Sequence, residues 1–145
     1  MNAFVLAGLL LGGPAELPEW VTFERVEPSG LVTLSELVEQ APVVVVARNP
    51  RRPCCADLEE GARVVVLWVP DRSRALRPTV QGGAWLAVDR HGLAAHQLGL
   101  NRDDEAVILT RRGEVGRVRL DRPGGPDQLR RRVSSVAATA SGVVP

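Results

Sequence analysis

Short apolar runs separated by turn signals dominate the hydrophobic pattern of this 145-residue chain. Residues 43–47 and 63–69 are almost uniformly apolar and rich in valine, which predicts strands buried on both faces of a parallel or mixed sheet. Shorter runs predict four more strands, at residues 20–27, 84–89, 106–110 and 115–120. Between the last two, Gly113 supplies the positive φ that a hairpin turn needs.

Helices are predicted between these strands, at residues 34–40, 53–60, 93–98 and from 126 or 127 to about 138. Thr33 and Glu36 have the spacing of a capping box at the start of the first helix. Pro53 suits the first position of the second helix, because its missing N–H has no partner to lose there. The order of elements predicts an α/β fold in which a central mixed sheet carries helices on both faces and an N-terminal strand extension.

Composition narrows the possible chemistry. Hydrophobic residues make up 45% of the chain, enough for the core of one domain, and the net charge of +1 gives no nucleic-acid footprint. All 18 basic residues are arginine, so neither a lysine Schiff base nor a P-loop lysine is possible, and the absence of tyrosine excludes a tyrosyl acid. We predict no cofactor and no metal site, and interpret Arg130-Arg131-Arg132 as the exposed face of the last helix.

The N-terminus carries an apolar segment at residues 3–13 that is too short to cross a bilayer as a helix. It resembles the core of a signal peptide, but no basic residue precedes it and no clear cleavage site follows. We therefore expect an apolar segment at residues 1–13, a single domain at 14–145, no transmembrane span and a cytoplasmic location. Export or membrane tethering through residues 3–13 is the alternative.

The candidate chemistry lies just after the first buried strand, where the adjacent Cys54 and Cys55 follow Arg51-Arg52-Pro53. Neighbouring Cα atoms are about 3.8 Å apart, below the usual disulfide range of about 4.4–6.8 Å, so we treat both cysteines as thiols. A helix N-terminus and two arginines would favour the thiolate of Cys54. Burial would instead raise the pKa of the thiol, so an inert, structural pair stays open.

Several strings, in their order and spacing, resemble the thioredoxin-like superfamily and most of all its redoxin branch, the AhpC/TSA, peroxiredoxin-like and TlpA-like proteins. Residues 43–58 are similar to the strand, active-site loop and helix of that family, and residues 89–100 to its aspartate, glycine and short helix. The resemblance covers about residues 14–140 and implies a thioredoxin-like fold.

The resemblance also implies a degenerate active site. Pro53 and Cys54 match the end of the family's Cys-x-Pro-Cys motif, but Arg51 stands where the attacking cysteine should be. The family's cis-proline would fall at Asp104 or Glu105, and neither is proline. Because a cis peptide without proline costs about 2.5–4 kcal/mol, we expect that this substrate-binding turn has been lost.

Two functions remain. The first is a thiol-dependent oxidoreductase or peroxidase that acts on a protein disulfide or a peroxide through Cys54, with Arg51 or Arg52 lowering the pKa of the thiol. The second is a catalytically inactive thioredoxin-like domain that serves as a binding or scaffold module. The sequence does not indicate the oligomeric state.

Other polar and aromatic residues are better explained without chemistry. His91 and His96 are five residues apart, which does not place them on one helical face, and we interpret them as surface histidines. The acidic residues 103–105 are interpreted as a polar loop before a strand. The three tryptophans, Trp20, Trp68 and Trp85, could form a ligand box, but Trp68 is most simply a core residue and the other two cover the sheet.

Overall fold

The computed structural model describes residues 21–26, 29–47, 61–69, 80, 83–100 and 104–140. These residues form one sheet and three α-helices. The strands are β1 (Thr22–Val26), β2 (Ser29–Thr33), β3 (Val43–Ala47), β4 (Arg63–Trp68), β5 (Trp85–Val88), β6 (Glu105–Thr110) and β7 (Gly113–Arg119). The helices are α1 (Leu34–Gln40), α2 (Leu93–Gln97) and α3 (Gly125–Ala140).

The sheet is mixed, with the strand order β2-β1-β5-β4-β3-β6-β7. Strands β3, β4 and β5 are parallel to one another, and every other neighbouring pair is antiparallel. β3 therefore lies inside the sheet, between parallel β4 and antiparallel β6. The predicted mixed sheet with an N-terminal strand extension is confirmed.

The core has two layers, one on each face of the sheet. Val43 and Val45 of β3 point into a cluster that includes residues of α1 and α2. Val44 and Val46 point into the opposite cluster, which includes residues of α3. Because successive side chains of a strand alternate between the faces, a valine run of this kind is buried on both sides. The prediction of helices on both faces is confirmed.

Local sequence signals explain where several elements begin and end. The Thr33 hydroxyl accepts a hydrogen bond from the Glu36 amide at 3.2 Å, so the predicted cap of α1 forms. Gly99 follows α2 with φ of 70°, and Gly113 opens β7 with φ of 106°. Both glycines adopt the left-handed backbone that other residues avoid, as the predicted helix end and hairpin require.

The main difference from the sequence prediction is β2. The sequence pattern predicts no strand at residues 29–33, but Ser29 pairs with Val26 and β2 continues to Thr33. β2 is an edge strand, and its Leu31 is 74% exposed, so the buried apolar pattern that reveals a central strand is missing here.

Some predictions fall on other parts of the chain. The helix at 53–60 and the boundary between residues 13 and 14 lie outside the described residues. Within the described part of the chain, no helix is long and apolar enough to cross a membrane.

Candidate active site

The strand that precedes the predicted site residues, β3, ends at the same edge of the sheet as the parallel strands β4 and β5. Ala47, the last residue of β3, pairs with Leu67 of β4 on one side and with Glu105 of β6 on the other. The chain therefore leaves β3 from inside the sheet. The five predicted site residues follow β3 in the sequence; they are Arg51, Arg52, Pro53, Cys54 and Cys55, and all of them lie outside the described residues.

Asp104 occupies one of the two positions where the family would have its cis-proline. It is buried, with 6% of its surface exposed, and its φ is 61°. A proline ring holds φ near −65°, so proline could not adopt this backbone conformation. The Asp104 carbonyl accepts a hydrogen bond from the Leu120 amide at 2.6 Å. The backbone at this point is thus bonded to the residue that follows β7.

Glu105, opposite Ala47, is held by Arg117 of β7. Arg117 Nη1 donates to Glu105 Oε1 at 3.0 Å, and Nη2 donates to Glu114 Oε1 at 2.7 Å. The same guanidinium donates to the carbonyls of Gly99 and Leu98, at 2.8 and 2.7 Å. We call Arg117 with these four partners the Arg117 cluster.

The electrostatics of this cluster favour the charged arginine. The hydrogen bonds to Glu114 raise the pKa of Arg117, against the opposing effect of partial burial. The cluster joins β6, β7 and the end of α2 beside the last residue of β3, and it fixes the carboxylate of Glu105.

Asp89, directly after β5, is a structural residue. Its carboxylate oxygens accept hydrogen bonds from the amides of Ala94 and Ala95, at 2.8 and 2.9 Å. These amides belong to the first turn of α2 and have no partner within the helix. Since both oxygens of this buried carboxylate are occupied, Asp89 anchors α2 to the end of β5.

Trp68 places a polar group at the end of β4. Its ring packs partly buried against the α3-side core, as predicted for a core residue. Its indole Nε1 is buried and has no hydrogen-bond partner in the described part of the chain. An indole N–H can only donate, so this buried donor needs an acceptor that the described residues do not supply.

The remaining candidates are surface residues or lie outside the described residues. His91 and His96 are both exposed, in agreement with surface histidines. Trp20 and Asp103 lie outside the described residues. No group of three histidine, cysteine, aspartate or glutamate side chains placed to hold a metal ion occurs among the residues described.

No family model and no curated protein matches the chain. Solved structures do match. DsbF of MTB is 17% identical, with a TM-score of 0.62, over 83% of this chain and 98% of the other. A DsbE-type thiol:disulfide interchange protein from Chlorobium tepidum is 15% identical, with a TM-score of 0.62, over 86% and 97%.

A mitochondrial 2-Cys peroxiredoxin from Plasmodium falciparum is 13% identical, with a TM-score of 0.59, over 90% of this chain and 98% of its own. The chain has a thioredoxin-like fold. Its similarity to both disulfide-interchange and peroxiredoxin structures confirms the predicted likeness to redoxin-type proteins at the level of fold. The thioredoxin-like fold accounts for the central position of β3 and the helices on both faces.

Sequence reasoning missed the residues that organise this edge of the thioredoxin-like fold. Arg117 pairs with Val107 of the α1-side core, so its partly exposed side chain lies on the α1 side of the sheet. Arg117 and Arg119 alternate with the buried Val118, so the sequence pattern predicts a polar face of the strand and carries no signal for the partners of Arg117. Such a residue needs partners, which only the folded structure supplies.

Proposed function

We propose that this thioredoxin-fold protein is a thiol oxidoreductase that uses Cys54 as its single attacking thiol. The observation that carries the proposal is the position of β3, whose C-terminal end lies inside a thioredoxin-like sheet and leads in sequence to Pro53-Cys54. Fold similarity to DsbE, DsbF and peroxiredoxin structures supports this reaction class.

The chemistry follows from a thiolate at this place. Arg51 and Arg52 precede Cys54, and cationic neighbours favour the thiolate that attacks disulfides and peroxides. With a disulfide, the sulfur forms a mixed disulfide and releases the other sulfur as a thiolate. With a peroxide, the sulfur takes one oxygen, the O–O bond breaks, and the products are a sulfenic acid and an alcohol or water.

The second half of either reaction needs an external thiol. Cys55 is adjacent to Cys54, and a bond between neighbouring cysteines is strained. In the disulfide reaction, an external thiol would attack the mixed disulfide at the Cys54 sulfur and release the reduced substrate. In the peroxide reaction, an external thiol would convert the sulfenic acid to a disulfide with release of water. In both cases a second external thiol would then regenerate the Cys54 thiol. In the cytoplasm, where we place the protein, the thiol pool is reducing and supplies such a partner.

The test measures alkylation of Cys54 by iodoacetamide against pH, in a Cys55→Ser background. We expect half-maximal reactivity below about pH 8.5, the value for an unperturbed cysteine. Replacing Arg51 and Arg52 together by glutamine should move the midpoint upward, whereas the same change at Arg131 and Arg132 of α3 should leave it in place. A Cys54 that stays unreactive below pH 8.5 would contradict the proposal.

Catalysis is tested separately by peroxide consumption and insulin reduction with dithiothreitol as the reductant. The Cys54→Ser variant should lose the activity and Cys55→Ser should keep it. Equal, negligible rates in the parent protein and in Cys54→Ser would exclude the enzyme and leave the alternative function.

The alternative is a binding or scaffold module without thiol chemistry, and Asp104 favours it. The Asp104 carbonyl is hydrogen-bonded to Leu120, and the left-handed φ of Asp104 excludes proline at this position. This function would be supported if the parent protein had no thiol activity and the Cys54→Ser variant kept the fold and still bound the same partner. Affinity capture with the Cys54→Ser variant, followed by binding measurements on the purified partner, tests it.

A further inference from the structure

A second cluster of charged and aromatic side chains lies on the β1, β4 and β5 strands. Trp85 of β5 has the guanidinium carbon of Arg63 at 4.1 Å from its ring centroid and that of Arg25 at 4.6 Å. Arg25 comes from β1 and Arg63 from β4, the two strands on either side of β5. We call these three residues the Trp85 stack.

The Trp85 stack carries two positive charges. Among the residues that the structure describes, no carboxylate pairs with Arg25 or Arg63; the hydrogen bond of the Arg63 guanidinium is to the Gly83 carbonyl, at 3.2 Å. The Nε–H of Arg25 is buried and has no hydrogen-bond partner there. A buried guanidinium donor without an acceptor is costly, and a bound water or anion is one way to satisfy it.

The neighbouring backbone leaves room for the Arg25 side chain. Gly30 of β2 pairs with Arg25, and a Cβ at position 30 would lie 3.1 Å from Arg25 Nη2. The glycine therefore leaves space beside β2 for the Arg25 guanidinium. A side chain at position 30 would require the guanidinium to shift by a few tenths of an ångström.

We propose that the Trp85 stack binds a tetrahedral dianion, either inorganic phosphate or the phosphate of a phosphomonoester. An arginine stacked on an aromatic ring keeps its N–H groups in the plane of the guanidinium, where they can bind phosphate oxygens in pairs. Two guanidinium charges without a carboxylate partner among the described residues match the charge of a phosphate near −2 better than that of a carboxylate.

Two strands, β5 and β4, lie between Arg25 of β1 and β3, the strand that precedes the cysteines in the sequence. Arg63 is the first residue of β4 and pairs with Val43, the first residue of β3, whereas the cysteines follow the last residue of β3. The proposal does not depend on thiol chemistry, so it can fail or succeed independently of the proposed function.

The experiment titrates the full chain with sodium phosphate at constant ionic strength, replacing sodium chloride, and follows tryptophan fluorescence and binding heat. We expect saturable binding of one phosphate per chain. Arg25→Gln and Arg63→Gln should each weaken it at least tenfold, and Trp85→Phe should abolish the fluorescence change. Arg112→Gln removes the same charge from an exposed turn and should leave the affinity unchanged.

Two further arms make the result decisive. Arg63→Lys keeps the positive charge but loses the planar guanidinium donors. If its circular dichroism is unchanged, weaker phosphate binding by this variant would support the site. Glycerol 3-phosphate compared with inorganic phosphate shows whether the site prefers a monoester or the free anion. Absence of saturable phosphate binding, or equal weakening by Arg112→Gln, would overturn the proposal.

Discussion

The Arg117 cluster and the Trp85 stack both hold arginines against the α1-side core of the same sheet, but their surroundings differ. Arg117 has two carboxylates and two backbone carbonyls as partners. Arg25 and Arg63 share one indole ring, without a carboxylate partner in the described part of the chain. An arginine whose donors are all used stabilises the fold, whereas one with unused buried donors is available to a ligand.

The comparison predicts that Arg117→Leu causes the largest loss of stability. The substitution leaves two carbonyls and the carboxylates of Glu105 and Glu114 without their shared donor. We expect the free energy of unfolding to fall by about 2–3 kcal/mol, as for loss of a partly buried charged network. Urea denaturation measures it. Arg111→Leu is the control, since its pair with Glu39 is exposed and worth about 0–1 kcal/mol. Equal losses in the two variants would contradict a special role for Arg117.

The next largest loss of stability is expected for Glu105→Gln, which keeps an acceptor for Arg117 but removes the negative charge of the carboxylate. A charge-assisted hydrogen bond is roughly twice as strong as a neutral one, so we expect a loss of about 1 kcal/mol. Combining the change with Arg117→Leu tests the mechanism. If the two residues act through each other, the double variant should lose less than the sum of the two single losses.

Arg25→Leu should have a smaller effect on stability than either change. The substitution removes a cation–π contact worth about 0.5–1 kcal/mol, and it also removes a buried donor that lacks a partner. These contributions oppose each other, so we expect the free energy of unfolding in phosphate-free buffer to stay within about 1 kcal/mol of the parent. A loss as large as that of Arg117→Leu would show that the Trp85 stack is itself a structural brace.

The sequence predicted the buried framework well because its signals are local. The valine run at 43–47, the cap at Thr33 and the glycine at 113 each act within a few residues, and each element formed where expected. The resemblance also led correctly to the fold, although Pro53-Cys54 itself lies outside the described residues.

The arginine clusters could not be predicted in the same way. Arg117 meets the Leu98 and Gly99 carbonyls across 18 or 19 residues of sequence, and Arg63 reaches Trp85 across 22. Such contacts depend on strand order and register, which alternation alone does not specify. The sequence indicates that Phe23 and Arg25 share a face of β1, but not which ring lies beside them.

The smallest predicted effect concerns Arg119 and Asp121, an exposed pair just beyond the Arg117 cluster. Arg119 Nη2 and Nε donate to the two carboxylate oxygens of Asp121, at 2.7 and 3.2 Å. The hydrogen bonds from Arg119 lower the pKa of Asp121 below its ordinary value of 3.8. A lowered pKa in the folded state means that the pair stabilises the protein above pH 3.8 and loses this contribution as the pH falls through the folded value.

Carbon NMR of the Asp121 carboxyl group should therefore show a midpoint below 3.8, and Arg119→Gln should move it upward. Because the pair is exposed, the same variant should leave the urea midpoint at pH 7 nearly unchanged. Added salt should reduce the pKa difference between parent and variant, since solvent ions screen exposed charges. A large stability loss from Arg119→Gln at pH 7 would mean that the pair belongs to the Arg117 cluster, and that the fully bonded arginine network extends from Leu98 to the end of β7.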